Sequence, residues 1–428
     1  MDKIADLSKY RPRILDRVVE HYLELFGAIC IEGPKWCGKT WISSRHAKSE
    51  FLVGDPRGNF QNRRLAEMSP TSVLEGESPR LIDEWQEVPS LWDVVRYEVD
   101  KRATKGQFIL TGSSTPQHKG ILHSGAGRIA RLKMRTMSLY EMGNSSGDVS
   151  LKELCKGNIN AKLTGNVNLK DLANYIVRGG FPAALNMTVS DAGILSKSYL
   201  DAIITDDIGR LDNKNYDTSK MKLLLRSLAR NISTTVTRQK LANDIKDIDG
   251  KNIDYDTIGI YLDVFERLFL LDNQRPFSSC IRSSIRVKQA EKRQFCDPSL
   301  AAALLNVTPD KLINDLEIFG FLFEALCVHD LKVYASSFNS EVYHYQDYNN
   351  DEIDAVIELD DGSWCAFEIK LGANQIDKAA QNLIRISDKI KEKGGVAPSI
   401  LCVICGLSSA AYKRPDGVFV VPITALKD

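Results

Sequence analysis

Eight consecutive residues near the start of the chain have the composition of a phosphate-binding loop. They follow the pattern G-x-x-x-x-G-K-[ST] and are Gly33, Pro34, Lys35, Trp36, Cys37, Gly38, Lys39 and Thr40. Glycines let backbone N–H groups turn towards a phosphate at the N-terminus of a helix, whose dipole favours anions. The lysine can reach the β- and γ-phosphates, and the threonine hydroxyl can bind Mg²⁺. The pattern therefore predicts that residues 33–40 bind ATP and Mg²⁺.

A short apolar segment that ends in two acids, residues 80–84, could supply the rest of this chemistry. Asp83 is predicted to hold Mg²⁺ through water, and Glu84 to orient and polarise the attacking water. Strands often end in acids, so this segment carries weight only because the phosphate-binding pattern lies upstream. An apolar strand precedes residues 33–40 and a helical stretch follows them. This context favours a nucleotide site over a glycine turn beside an exposed lysine.

Two further places could contact the γ-phosphate. The apolar segment 108–114 ends in hydroxyl residues, and Thr111 or Ser113 could sense the γ-phosphate there. The alternative is an ordinary strand-to-loop turn. Arg128, which we prefer to Arg131, precedes the next predicted strand and could be an arginine finger supplied to a neighbouring subunit. This predicts a homo-oligomer, whereas a surface arginine is the alternative.

These elements together resemble the AAA-type ATPases, which implies ATP hydrolysis. More narrowly, the chain resembles a large prokaryotic family that joins an AAA-type ATPase to a C-terminal domain of unknown function with a restriction-endonuclease-like fold. The resemblance spans nearly the whole chain. It rests on the segments YRPR at 10–13, EGPKWCGKT at 32–40, IDEWQEVP at 82–89, LTGS at 110–113, GGFP at 179–182 and EIK at 368–370.

Charged residues in the C-terminal part resemble the PD-(D/E)xK nuclease pattern. Asp354 lies in an otherwise apolar strand, where charge is costly unless it is paired or metal-bound. Glu368 and Lys370 share one face of the next strand, because residues two apart point the same way. The resemblance implies that Asp354 and Glu368, with Glu324 as a further ligand, bind a second Mg²⁺ while Lys370 positions water. The alternative is a salt-bridged strand pair in a domain that does not cut.

The pattern of apolar segments predicts an α/β multidomain protein. In the first part, strands alternate with helical stretches, which is typical of a parallel sheet. We expect an AAA-type P-loop core at 1–143, a linker and helical lid at 144–225, a winged-helix-like region at 226–294 and a restriction-endonuclease-like domain at 295–428. A single helix is expected over about 312–333. The spaced cysteines Cys402 and Cys405 fall in an apolar strand, so they are predicted to be core residues.

The winged-helix-like region is the expected DNA contact. Some of its charged residues favour DNA binding and others oppose it. Helices are predicted over 237–245 and 256–271, followed by a short hairpin. Acidic residues dominate the second helix, whereas helices that read DNA usually present basic or amide side chains. The alternative is a winged helix that packs against its own ATPase. The basic segment 282–288, with Lys292 and Arg293, could contact phosphates instead or form a solvated face.

Composition limits the choice of partners and location. With 428 residues, two to four domains are expected, and a formal net charge of zero removes the simplest argument for nucleic-acid binding. No secretory signal and no apolar stretch of ~20 residues is visible, so a cytoplasmic protein with no membrane span is expected.

Three functions follow. The first is an ATP-hydrolysing machine coupled to DNA. The alternatives are a nucleotide-gated switch that binds a protein partner, and an ATP-gated, Mg²⁺-dependent nuclease.

Overall fold

The chain folds into two compact units, each with its own sheet. In the part of the chain that is described, no helix is long and apolar enough to cross a membrane. The first unit comprises residues 1–136, 206–216 and 264–270, and the second comprises residues 137–205, 217–263 and 271–428. The computed structural model describes residues 5–115, 121–212, 214, 216–249, 253–280 and 289–428.

The first unit has a five-stranded parallel sheet of order β2-β3-β4-β1-β5, which confirms the predicted parallel α/β arrangement. Its strands are β1 (Ala28–Glu32), β2 (Ser49–Leu52), β3 (Arg80–Asp83), β4 (Phe108–Gly112) and β5 (Ile129–Lys133). Because the strands are parallel, their carboxyl ends meet at one edge of the sheet. Residues 33–40, Asp83 and Thr111 all lie at or beside this edge.

Strand β1 shows why this sheet forms. Its side chains alternate between two cores, with Ala28 and Cys30 in one and Ile29 and Ile31 in the other. All four side chains are fully buried. A strand that is apolar on both faces is typical of a parallel sheet covered on both sides by helices.

The helices differ from expectation at two places. The helix expected over 312–333 is two helices, because Asp315 has a non-helical backbone (φ −131°, ψ 84°) and its side chain accepts a hydrogen bond from Ile318 N. The helix expected to reach residue 271 ends at Arg267, and Phe269 has a left-handed backbone (φ 55°). In chain order the helices are α1 (Leu15–Leu25), α2 (Lys39–His46), α3 (Arg57–Met68), α4 (Leu91–Arg102), α5 (Leu151–Cys155), α6 (Leu169–Arg178), α7 (Val189–Ala202), α8 (Ile208–Asp212), α9 (Thr218–Arg230), α10 (Arg238–Asp249), α11 (Tyr255–Arg267), α12 (Pro298–Leu304), α13 (Pro309–Asn314), α14 (Leu316–Ala335) and α15 (Ile376–Glu392).

The second unit has a mixed seven-stranded sheet of order β7-β12-β13-β11-β10-β9-β8, and β6 pairs with β14 separately. Cys402 and Cys405 are buried free cysteines on β11, as predicted. The strands are β6 (Val149–Ser150), β7 (Lys162–Leu163), β8 (Val342–Gln346), β9 (Glu352–Glu358), β10 (Trp364–Lys370), β11 (Ile400–Cys405), β12 (Ala410–Lys413), β13 (Phe419–Pro422) and β14 (Leu426–Lys427).

Strands β9 and β10 form an antiparallel hairpin in which Phe367 pairs with Ala355. Gly362 takes a positive φ of 81° in the turn, a backbone that favours glycine. This pairing sets Asp354 of β9 beside the end of β10, where Ile369 N donates a 2.8 Å hydrogen bond to its carboxylate.

The region predicted as a winged helix contains α10 and α11. Two antiparallel bridges follow, joining Leu271 to Phe295 and Gln274 to Lys292. The basic segment 282–288 lies outside the described residues. A winged helix therefore stays a prediction for this region.

Candidate functional site

The predicted phosphate-binding loop connects β1 to α2 and requires glycine at both ends. At Gly33, a Cβ atom would lie 2.1 Å from the carbonyl oxygen of Met134, so no larger residue fits. Gly38 has a φ of 107°, which side-chain-bearing residues rarely adopt. Trp36, between them, also has a positive φ (64°), and its side chain is 58% exposed. The loop thus has the tight backbone that cradles phosphates.

Lys39 begins α2 with its side chain inside this loop. It is 5% exposed, and its ammonium donates hydrogen bonds to Gly33 O at 2.9 Å and Pro34 O at 2.8 Å. Cys37 is buried in the adjoining core, and its carbonyl oxygen accepts a hydrogen bond from Arg13 at 2.9 Å. The lysine is therefore placed among the loop's backbone groups, as its predicted role with phosphates requires.

Asp83 joins the loop to the neighbouring strands. Its Oδ1 accepts hydrogen bonds from Thr40 Oγ1 at 3.0 Å and from Thr111 Oγ1 at 2.7 Å. Burial raises the pKa of Asp83, although the two hydroxyls act to lower it. A threonine hydroxyl and a carboxylate in contact are the hard oxygen donors that Mg²⁺ prefers, so Thr40 and Asp83 fit the ion that accompanies ATP.

Glu84 follows Asp83 with a left-handed backbone (φ 57°, ψ 48°). Its N–H donates to Thr111 Oγ1 at 2.9 Å, and its Oε2 accepts a hydrogen bond from Ser113 Oγ at 2.8 Å. The amide of Gln86 also donates to this carboxylate, and to Ser113 Oγ at 3.2 Å. Positive φ at a non-glycine residue costs free energy and often marks a functional position.

The sequence left Thr111 and Ser113 as alternatives, and the structure gives them different contacts. Thr111 bonds to Asp83, whereas Ser113 bonds to Glu84, the acid predicted to orient water. Sequence reasoning missed Gln86. Its position two residues after the acid pair carries no chemical signal without the fold.

Lys35 has a partner that the sequence did not indicate. Its ammonium lies 2.6 Å from Asp207 Oδ1, in the segment just before α8. The Lys35 side chain is 40% exposed and that of Asp207 12%. Both residues belong to the first unit, so a distant segment of the chain contacts the loop.

The two candidate arginines differ in their surroundings. Arg128 is 47% exposed and pairs with the exposed Asp100 at 2.9 Å. Arg131 pairs with Glu32 and lies 4.4 Å over the Trp92 ring. Burial raises the pKa of Glu32, and the Arg131 charge opposes that rise. Arg131 is thus engaged within its own unit, whereas Arg128 faces solvent.

The charged residues predicted in the C-terminal part come together in the second unit. Lys370 Nζ lies 2.6 Å from Glu368 Oε2 and 3.1 Å from Asp354 Oδ2. Asn382 donates to Glu368 Oε1 at 3.0 Å. Glu324, on α14, pairs with a different lysine. The sequence had predicted that this residue would lie on a solvated face or contact phosphates.

That residue is Lys292, whose side chain is 1% exposed. Its Nζ lies 2.6 Å from Glu324 Oε1, 2.6 Å from Glu352 Oε1 and 3.7 Å from Asp354 Oδ1. The interpretation of Lys292 as a surface base is therefore wrong. Its neighbours in the sequence are polar and basic, so no local signal indicated that it would be buried.

Burial and mutual repulsion control the charges in this cluster. Burial raises the pKa of Glu324 to about 8 against the opposing effect of Lys292, and burial with the nearby Asp354 charge raises that of Glu368 to about 8. Burial opposes the charge on Lys292 as well, but the surrounding carboxylates outweigh it and raise its pKa.

This arrangement differs from the expected second metal site. The carboxylates of Glu324, Asp354 and Glu368 contact lysine ammonium groups, which occupy the space between them. Among the residues that the structure describes, no group of three or more histidines, cysteines, aspartates or glutamates is arranged to hold a metal ion. The residues therefore do not fit a second Mg²⁺ as they stand.

Helix α11 is a poor match for a helix that reads DNA. Arg267, the base in its body, donates from Nε to Thr115 O at 3.1 Å, and Thr115 N donates to Arg267 O at 3.0 Å. Acidic Asp254 caps the helix by accepting hydrogen bonds from Thr257 N and Oγ1. These contacts engage the only basic group of the helix body within its own unit.

Comparison with known proteins adds a family for the first unit. Residues 26–143 match the family model of an AAA domain, and residues 169–311 and 319–426 match two domains of unknown function, DUF8612 and DUF4143. Uncharacterized proteins of Mycobacterium tuberculosis and Mycobacterium bovis are each 22% identical over 346 residues, which cover 80% of this chain and 70% of theirs. The Walker-type ATPase paby2304 of Pyrococcus abyssi aligns over 70% of this chain and 99% of its own, with a TM-score of 0.41 and 12% identity.

The AAA match contains the phosphate-binding loop, the acid pair, Ser113 and Arg128. It agrees with the resemblance to AAA-type ATPases and supports ATP binding by a P-loop α/β domain. The domain boundaries, the winged helix and the restriction-endonuclease-like fold stay predictions.

Proposed function

We propose that the first unit binds ATP with Mg²⁺ and hydrolyses it. The observation that carries this proposal is the meeting of three elements at one carboxylate oxygen. Hydroxyls from α2 (Thr40) and β4 (Thr111) both donate to Asp83 Oδ1 at the end of β3. Bound Mg²⁺ would neutralise phosphate charge beside these oxygens.

The chain's own residues supply the other parts of the reaction. Lys39 binds the β- and γ-phosphates, and the backbone N–H groups that follow Pro34 in the loop surround the β-phosphate. Glu84 orients the attacking water and accepts its proton, while Ser113 and Gln86 hold the Glu84 carboxylate in place.

Phosphate release tests this assignment directly. Lys39→Ala should abolish nucleotide binding or turnover. Glu84→Gln should lower kcat by about 100-fold or more while ATP still binds, because a positioned base contributes about 10²–10⁴-fold. Lys48→Ala, which removes an exposed lysine of the same unit, should leave turnover unchanged. Turnover that survives in Glu84→Gln would assign the base to another residue.

We propose that Arg128 acts on a neighbouring copy in a homo-oligomer. Its exposure and its weak, exposed partner Asp100 support this role. Glu84→Gln and Arg128→Ala chains should each be inactive alone. Mixed oligomers should regain ATPase activity, because an intact Glu84 in one copy can meet an intact Arg128 from the next. Absence of regained activity in oligomers shown to be mixed would contradict action between copies.

We propose that the second unit is a non-cutting partner-binding part, so that the chain acts as a nucleotide-gated switch. The lysine pairs at Glu324, Asp354 and Glu368 support this over an Mg²⁺-dependent nuclease. Coupling to DNA stays the competing prediction. A rise in ATP turnover on adding DNA would favour DNA. Turnover indifferent to DNA and RNA, with a protein partner recovered on the Glu84→Gln variant, would favour the switch.

A further inference from the structure

Lys292 is a buried lysine, 1% exposed, whose role the ATPase proposal does not explain. Three carboxylates surround its ammonium, from α14 (Glu324) and from β9 (Glu352 and Asp354). The two closer contacts are both 2.6 Å, while Asp354 Oδ1 is 3.7 Å away. The ammonium thus neutralises carboxylates from two elements at one point, which is what a bound cation would otherwise do there.

The charge balance explains why a cation is needed at this point. Glu324, Glu352, Asp354 and Glu368 form a chain of carboxylates, and Asp354 contacts Lys370 through Oδ2 while its Oδ1 faces Lys292. Buried carboxylates are costly unless a positive charge, a metal ion or a bound proton compensates them, and of these four only Glu352, at 39% exposure, is open to water. Lys370 compensates Glu368 and Asp354, and among the described residues Lys292 is the lysine that pairs with Glu324 and Glu352.

Backbone hydrogen bonds with Gln274 hold Lys292 in this position. Its N–H donates to Gln274 O and its carbonyl accepts from Gln274 N, both at 3.0 Å. The fully buried Gln274 side chain also donates to Asp354 O at 3.2 Å. The bridge between Gln274 and Lys292 is therefore bonded to β9, which carries two of the carboxylates. Such fixed placement distinguishes Lys292 from a mobile surface lysine that happens to meet an acid.

We propose that Lys292 is an internal cation that takes the position of a divalent metal ion in the second unit. The intact chain then binds no metal ion at this cluster, and loss of the lysine charge opens a site for Mg²⁺ or Mn²⁺ between Glu324, Glu352 and Asp354. The inference deepens the proposal of a non-cutting second unit and is independent of ATP hydrolysis.

Measurement of Mn²⁺ binding to the nucleotide-free full chain tests the proposed internal cation. Binding can be followed by calorimetry or by the electron paramagnetic resonance signal of free Mn²⁺. Lys292→Met keeps the length of the side chain and removes its charge. It should bind one Mn²⁺ ion per chain more than the wild type, and Mn²⁺ should raise its Tm relative to EDTA. Adding Asp354→Asn should remove the extra ion, which locates it in the cluster rather than at the P-loop.

Two matched variants separate charge from packing. Lys292→Arg keeps the charge and should gain no ion. Lys389→Met removes another lysine of the second unit that bridges two carboxylates, Asp347 and Asp351, and it should gain none because Arg385 still pairs with Asp351.

Each outcome decides the question. A folded Lys292→Met chain that binds no extra Mn²⁺ overturns the proposal, and a variant that folds only with Mn²⁺ supports it. If Lys292→Met folds neither with Mn²⁺ nor with EDTA, Mn²⁺ binding by the wild type tests the proposal instead. Mn²⁺ binding by the wild type that Asp354→Asn abolishes would contradict an internal cation, and its absence would support one.

Discussion

At the scale of single residues, Glu84 combines a strained backbone with a carboxylate held from two sides. A left-handed backbone at a non-glycine residue costs about 1–3 kcal/mol and persists only where neighbours hold it. Thr111 binds the Glu84 N–H, while Ser113 and Gln86 bind its side chain. The position of the proposed base is thus controlled by residues of β4 and of the turn after Glu84.

Replacement of Ser113 by alanine should therefore lower kcat by about tenfold and change KM little. The variant loses one of two donors to Glu84, so the base is less well oriented while the P-loop remains intact. Steady-state ATP turnover measures both constants. Ser114→Ala, which changes the adjacent hydroxyl, is the control. A rise in KM with an unchanged kcat would instead place Ser113 in nucleotide binding.

The Lys292 cluster should make the second unit less stable as the pH rises. The pKa of Glu324 is raised to about 8, far above the value of an exposed glutamate, so the native state holds a proton that the unfolded chain releases between about pH 5 and pH 8. Stability contributed by that proton is present at low pH and is lost as the pH rises, by at most about 1.4 kcal/mol per pH unit.

Glu324→Gln should weaken this pH dependence, because the amide cannot lose the proton, and the dependence that remains should come from Glu368, whose pKa burial also raises to about 8. Hydrogen exchange of the β9 and β10 amides, compared between variant and wild type at each pH, reports the stability of this unit. Glu317→Gln, at the start of the same helix, is the control. A steeper dependence in Glu324→Gln would contradict the raised pKa.

Residue types and spacing were enough to predict the nucleotide site but not the partners of its residues. The P-loop pattern depends on local backbone chemistry, so Lys39, Thr40 and Asp83 could be proposed without a fold. Lys292 meets Glu324 and Glu352 only through the tertiary structure, and the polar sequence around it favoured exposure. Such partners are set by packing rather than by local pattern.

At the scale of elements, the P-loop is linked to a segment far along the chain. Lys35 pairs with Asp207, 172 residues later, at the boundary between a short π-helical turn and α8. This pair neutralises a positive charge beside the proposed phosphate site. Partly exposed ion pairs contribute about 0–1 kcal/mol, so its loss should alter binding more than folding.

Asp207→Asn should consequently tighten ATP binding by up to about fivefold, because it leaves the Lys35 charge free to attract phosphate. The effect should shrink at high salt, which screens exposed charges. Equilibrium titration with ATP at two salt concentrations measures it. Asp206→Asn makes the same change at the adjacent exposed residue and should have a smaller effect. Weaker binding in Asp207→Asn would show that the pair holds the loop in its binding conformation.

Helices and strands could be predicted where the spacing of apolar residues is regular. They were harder to predict where a single side chain ends one helix and begins another. The central strands β1, β3 and β4 of the first unit agree with prediction, because each is a buried run with apolar residues at its centre. The helix expected over 312–333 breaks at Asp315, whose carboxylate caps a new helix. Acids also occur inside helices, so the sequence did not distinguish a cap from a continuing turn.

At the scale of the whole molecule, the first unit is not one stretch of chain. The AAA match ends at residue 143, but the unit also contains 206–216 and 264–270. These segments contribute the contacts of Asp207 with Lys35 and of Arg267 with Thr115. They also carry fully or nearly fully buried apolar side chains, namely Ile208, Val264, Phe265, Leu268 and Leu270.

A fragment of residues 1–143 should therefore be much less stable than the first unit of the full chain. Burial of a large apolar side chain contributes about 1.5–3 kcal/mol, and a whole domain has about 5–15 kcal/mol of stability, so loss of five such residues should leave the fragment marginal or unfolded. The fragment and a full chain with Trp364→Phe contain the same four tryptophans, of which Trp85 and Trp92 are buried in the first unit. Urea titration followed by tryptophan emission should give a cooperative transition for the full chain and a lower midpoint, or none, for 1–143. Equal midpoints would mean that the later segments add no stability to the AAA domain.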